Sequence, residues 1–178
     1  MTAPLPFHTI GHSTQPIAAF VEVLSAAGVG LVADIRTVPR SRTNPHYNRD
    51  VLPETLAPFG LAYIHIAELG GLRPRSRAVP PEVNGFWTNA SFHNYADYAL
   101  TEPFRRGLEQ LIALGRQRRV AMMCSEAVWW RCHRRIVADY LLARGETVFH
   151  LIAGRIEPAR MTAGARIEPD CTVAYPSG

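Results

Sequence analysis

The sequence has 178 residues, of which 47% are hydrophobic, with mean hydropathy −0.04, the balance of a soluble globular chain long enough for one domain with a sizeable core. No apolar run approaches the roughly 20 residues that span a bilayer, and "MTAPLPFHTIGHS" lacks the basic and apolar regions of a signal peptide, so a cytoplasmic location is expected. The net charge is +4, yet all 19 cations are arginine, and the missing lysine excludes a Walker-type phosphate loop and any Schiff-base mechanism.

In chain order, "LPFHTI" (5–10) reads as a short apolar strand ending in the turn "GHSTQ". "PIAAFVEVLSAAG" reads as a helix, with Pro16 in its first turn, an apolar stripe at Ile17, Phe20, Val21 and Leu24, and Gly28 to end it. "GLVADI" (30–35) predicts a second buried strand, and the loop "RTVPRSRTNPHYN" leads to a short helix around 50–58. "LAYIHI" (61–66) is the third strand. Residues 67–90 show no periodicity, and an insert that long points to function. Helices are predicted over about 91–100 and 102–115, then a strand "RVAMMC" (119–124), a helix "AVWWRCHRRIVADYLLARG" and a fifth strand "TVFHLI" (147–152). Residues 155–178 read as a C-terminal strand or tail. This alternation predicts a single α/β domain, a three-layer open sheet of about five mainly parallel strands flanked by helices.

The reactive candidates fall at or just past the carboxyl ends of strands: His12 and Ser13, Asp34 and Arg36, Glu68, then Cys124 and Glu126. In an open parallel sheet those ends share the edge where ligands bind. In "MMCSEAVWWRCHRR" (122–135), Cys124 is expected at a strand tip facing the next helix N-terminus, whose partial charge favours a thiolate, with Arg131 and Arg134 adding to it. Glu126 can exchange a proton there. The plain alternative is a small buried hydrophobe. The helix shows a stripe through Trp129, Cys132, Ile136 and Tyr140 and a neighbouring row through His133, Val137 and Leu141, with Arg131, Arg135 and Asp139 on a flank. Cys132 reads as core. His133 needs a partner, which Asp34 or Glu126 can supply.

Cys124, Cys132 and His133, with His12, also offer metal-ligand atoms, but the spacing lacks the short pairs of zinc ribbons. Three cysteines in all argue against a disulfide framework and suit a reducing compartment. Rhodanese and tyrosine-phosphatase loops place an arginine six residues after the cysteine, where this chain has Trp130, so the loops are not equated. Arg36 is expected to clamp an anion bidentately or to pair with Asp34. The adjacent Gly70 and Gly71 permit close backbone approach to a ligand, or simply a tight turn. Phe86, Trp87, Phe92, Tyr95 and Tyr98 offer either a stacking surface for bases or the packing of a helical pair.

"TIGHS", "DIRTVPRSR", "YIHIAELGG", "NYADYALTEPF", "CSEAVWWRCHRRIVADYLLARG" and "HLIAG…ARIEP…AYP" occur in the order typical of the domain-of-unknown-function 488 family, which this chain resembles from about residue 8 to 176. The resemblance implies a small cytoplasmic α/β protein and places His12, Ser13, Asp34, Arg36, Pro39, Ser41, Arg42, Tyr63, Gly70, Gly71, Cys124, Glu126, Cys132, His133 and Arg134 on motif positions. Ser125 stands where Ala is usual, Trp129 where Pro is common, and Ala159 where relatives often carry His, which weakens a four-ligand metal scheme.

Three functions therefore compete. The first is an enzyme with Cys124, Glu126, His133 and Asp34 as catalytic groups. In it His12, Ser13, Arg36, Ser41, Arg42, Tyr63, Gly70, Gly71 and Arg134 bind an anionic, nucleotide-like substrate. The second is a nucleic-acid or nucleotide binding module built on the arginine loops 36–49 and 73–77. The third is a metal-binding protein using Cys124, Cys132 and His133. The sequence points to no particular cofactor, and to a partner that is an anionic small molecule or a nucleic acid rather than a membrane.

Overall fold

A computed structural model describes residues 3–178. Five parallel strands, β1 (Phe7–Gly11), β2 (Leu31–Asp34), β3 (Ala62–His65), β4 (Val120–Cys124) and β5 (Val148–Ile152), join a sixth, β6 (Arg155–Pro158), in the order β3-β2-β4-β1-β5-β6. The five expected strands are present. The sixth comes from the stretch read as a C-terminal strand or tail and runs antiparallel to β5. A short pair, β7 (Arg166–Ile167) and β8 (Val173–Ala174), lies outside this sheet.

Helices α1 (Ile17–Ala26) and α2 (Leu52–Leu56) cover one face, and α3 (Ala90–Tyr98), α4 (Glu102–Gly115) and α5 (Arg134–Ala143) the other, giving the three-layer α/β architecture. Strand β4 shows why its sequence is a continuous apolar run. Val120 and Met122 enter the core with α4 and α5, and Ala121 and Met123 enter the core with α1 and α2, so neither face meets water. Among the described residues no helix is long and apolar enough to cross a membrane.

Two expectations change around α5. The helix starts at Arg134, not near Ala127; before it lies a single 3-10 turn, Trp129–Arg131, and an extended Cys132 (φ −128°, ψ 149°). Trp129 is held off the helix by stacking on His150, with centroids 4.3 Å apart and planes at 5°. Asp139, expected on a flank, is buried, because the C-terminal stretch covers it: Tyr175 Oη donates to Asp139 Oδ2 at 2.8 Å, and Thr162 N to Oδ1 at 3.0 Å.

Candidate functional site

The carboxyl ends of β1, β2 and β4 meet where the loop after β4 crosses the loop after β1. His12 N donates to Cys124 O (2.9 Å) and Ser13 N to Ser125 O (3.1 Å). Beside this crossing lies a cavity of about 300 Å³, whose walls include Arg36, Gly71, Cys124, Glu126, Cys132 and His133. Of the sequence-predicted residues, those six reach the cavity together. Arg40 from the 36–49 loop, Phe92 and Arg131 line it as well, together with Thr37, Val38, Leu72, Ser91 and Ser125, which the sequence did not single out for binding.

The two thiols form its floor. Cys124 and Cys132 are free, 3% and 6% exposed, with their sulfurs 2.7 Å apart. Their settings differ. The α5 start delivers the Arg134 N–H to Cys132 Sγ (3.4 Å), so the helix terminus serves Cys132 rather than Cys124. His133 Nδ1 lies 3.4 Å from the same sulfur, and His133 Nε2 lies 2.8 Å from Ile35 O. A carbonyl accepts only, so Nε2 carries the hydrogen and, in the neutral ring, Nδ1 presents its lone pair to the thiol. His133 is thus oriented by Ile35 O and paired with Cys132, where Asp34 or Glu126 was expected as partner.

Burial opposes ionisation of Cys132, but the Cys124 thiol, His133 and the Arg134 guanidinium outweigh it and hold the Cys132 thiol well below its usual range. Burial, with Cys132 alongside, pushes Cys124 well above. Cys132 is thus the more acidic thiol of the pair; the Cys124 Sγ lies beside it and also within 3.8 Å of Glu126 O, to which its S–H can donate. Arg134 is 1% exposed and does not line the cavity; its Nη2 donates to Glu126 O (2.9 Å), fixing the loop, and its buried charge favours both thiolates.

Arg36 is not free to clamp an anion bidentately. Its Nε and Nη2 donate to Asp34 Oδ1 (2.9 Å) and Oδ2 (2.7 Å), Nη2 also donates to Tyr47 O (2.7 Å), and Nη1 lies 3.3 Å from His12 Nε2. One N–H of the five a guanidinium carries is left for a ligand. Asp34, 0% exposed, lies behind it and also accepts from Tyr63 Oη, so Asp34 and Tyr63 stand away from the cavity wall. His12 is likewise behind: its ring stacks on Tyr47 at 4.3 Å, and burial pulls its pKa down to about 4. Ser13, in a left-handed conformation (φ 47°), accepts through its carbonyl from His12 Nδ1. Ser41 folds its own loop, accepting from Asn44 N at 3.0 Å, and Arg42 is exposed off the cavity. Gly70 lies against Thr37, and Gly71 against the His133 ring, where a Cβ would sit 2.5 Å from Nδ1.

Among the described residues no group of three or more His, Cys, Asp or Glu is arranged to hold a metal ion, and His133 spends Nε2 on Ile35 O. The metal scheme on Cys124, Cys132 and His133 gains no support from this geometry.

The buried imidazoles make a pH prediction. His8, His12 and His150 are all held below 6.5 by burial, His12 and His150 to about 4. Their folded-state values lie under the unfolded one, so the stability they contribute is complete above about pH 6.5 and is lost as pH falls towards 4. Thermal melts between pH 7 and 5 should show the decline, and His150→Gln should make it shallower. An unchanged slope would contradict it.

A family model described as Domain of unknown function DUF488 matches residues 16–141. Comparison with curated proteins and with solved structures gave no match. The match takes in Asp34, Arg36, both cavity thiols and His133; His12, Ser13 and the segment covering Asp139 lie outside it, a shorter span than the sequence resemblance indicated. With well over half its length matched, the chain belongs to the DUF488 family.

Proposed function

We propose that the protein is a cytoplasmic thiol-dependent enzyme in which Cys132 attacks an electrophilic centre of an anionic substrate held in the cavity. The observation that carries this reading is the Cys132–His133–Ile35 array: a nucleophile, a base within reach of its proton, and a third group orienting the base. The Cys132 proton passes to His133 Nδ1. The sulfur–substrate bond forms as the leaving group departs, and His133, or Glu126 in the cavity wall, returns a proton to that group. The Cys124 S–H stabilises the thiolate before attack. Arg40 and Arg131 hold the anion, together with the one remaining Arg36 N–H. The free, adjacent thiols fit a reducing compartment.

Alkylation with iodoacetamide from pH 6 to 9, with peptide mapping, tests this. Cys132 should label half-maximally well below the ordinary thiol value of about 8.5, with Cys124 lagging. His133→Ala should shift the Cys132 midpoint upward, and Cys132→Ser should abolish cavity labelling at neutral pH. A Cys132 profile centred at or above that ordinary value, or Cys124 labelling first, would overturn the assignment.

A further inference from the structure

The cavity has neighbouring hollows with which it shares lining residues. It shares Arg40 with a hollow lined by Pro39, Arg49 and Asp50. It also shares Gly71, Leu72 and Ser91 with a hollow that adds Arg73 and Pro74. Pro74 in turn borders a wide hollow of about 920 Å³ carrying Arg75, Arg77 and His93. Shared lining residues thus link neighbouring hollows from Arg49, past the thiols, to Arg77.

The charge along this path is one-sided. Seven arginines line it, Arg36, Arg40, Arg49, Arg73, Arg75, Arg77 and Arg131, against three carboxylates, Asp50, Glu126 and Asp97. Asp97 is buried and already accepts from Asn84 Nδ2 (2.7 Å), with His93 beside it. Arg40, Arg49, Arg75, Arg77 and Arg131 form no ion pair with a carboxylate among the described residues. A stretch of unneutralised guanidiniums of this length exceeds what a single small anion needs and matches a ligand with charges repeated along a chain.

We infer that the groove binds a single-stranded nucleic acid, whose backbone follows the arginines from Arg49 to Arg77 and delivers one nucleotide into the cavity beside Cys132. This deepens the thiol reading, on which it rests for the identity of the reactive site. Two features favour a nucleic-acid strand over an acidic peptide. Guanidinium forks match phosphate oxygens, and the cavity wall contains the Phe92 ring, itself stacked on Trp87 with centroids 4.7 Å apart, a rigid aromatic face on which a base can stack. The strand must be single because the sulfur lies at a cavity floor, 6% exposed, where a base still paired in a duplex cannot reach.

The test is fluorescence anisotropy of the intact chain with a labelled single-stranded RNA of about 20 nucleotides over a salt series. With five unpaired arginines engaged, log Kobs should fall against log[salt] with a slope of about −3 to −4, each phosphate contact contributing roughly −0.7. Arg75→Gln/Arg77→Gln and Arg40→Gln/Arg49→Gln should each reduce the slope by about 1.4, and the RNA should protect Cys132 from iodoacetamide. Absence of binding at low salt, a slope that either double variant leaves unchanged, equal affinity for the matching duplex, or displacement by polyglutamate at equal charge would each overturn it. Failure to bind RNA with the low-pH alkylation of Cys132 retained removes the substrate class and leaves the thiol chemistry. Binding retained while Cys132 titrates as an ordinary thiol upholds the groove and removes the chemistry.

Discussion

Asp34→Ala is expected to destabilise the protein by about 3–5 kcal/mol, the usual cost of removing one member of a buried ion pair. Asp34 has no solvent exposure and accepts from the Arg36 backbone N–H (3.1 Å), from Arg36 Nε and Nη2, and from Tyr63 Oη. Alanine would leave a guanidinium 6% exposed without its counter-charge and a phenol without its acceptor. Guanidinium chloride unfolding should show a lower midpoint at unchanged m. Arg36→Met in the Asp34→Ala background should recover part of the loss, because the two residues share one interaction. A loss below about 1 kcal/mol in the single variant, or additivity in the double, would show that the pair does not hold this end of the sheet. In this account Asp34 is a positioning residue for Arg36 rather than a catalytic acid.

Gly11→Ala should be nearly as damaging, and should also reach the thiols. A Cβ at Gly11 would lie 1.7 Å from the carbonyl oxygen of Glu126 and 3.1 Å from Ala127 Cα, both backbone atoms that no rotamer change can move aside. The loop after β4 would have to lift, straining His12 N–Cys124 O and Ser13 N–Ser125 O. Forcing a methyl group into such a space costs about 1–3 kcal/mol, occasionally more, and here the upper end is expected. The same displacement carries Glu126 O away from Arg134 Nη2, so neutral-pH alkylation of Cys132 should slow as stability falls. Wild-type stability with wild-type thiol reactivity would refute the crossing as the support of the site.

The sheet was legible because five of its strands carry short, mainly apolar runs and the helices between them carry stripes with end signals such as Pro16 and Gly28. β6 reads only as strand or tail because "RIEP" is short and carries a single aliphatic side chain, itself exposed, and its pairing with β5 is a tertiary fact. The edge on which the site stands was legible too, since strand-end positions of a parallel sheet converge by topology. Which thiol would be acidic was not. That depends on the Arg134 N–H and the His133 ring meeting Cys132, and the stripe reading placed Cys132 inside a helix, where its backbone would have run past the sheet edge. The adjacent Cys132–His133 pair just before a helix start was the available signal. The sequence leaves Arg36 between an anion clamp and a pair with Asp34, and the pair is what forms; the choice is open because a side chain's donors cannot be debited from sequence, and Tyr47 O and His12 Nε2 are brought to it by the fold.

Strand β6 closes the sheet against its own kind. Ala159 N donates to Val148 O, which makes Glu157 and Arg155 the positions turned towards β5 and leaves Ile156 and Pro158 facing away. Proline has no N–H, so Ile156 alone offers a donor to an incoming strand. Reversed, short and charged at Arg155 and Glu157, this border gives a second sheet little to template on, and concentrated solutions of the protein should resist growth of edge-to-edge β-aggregates from that side.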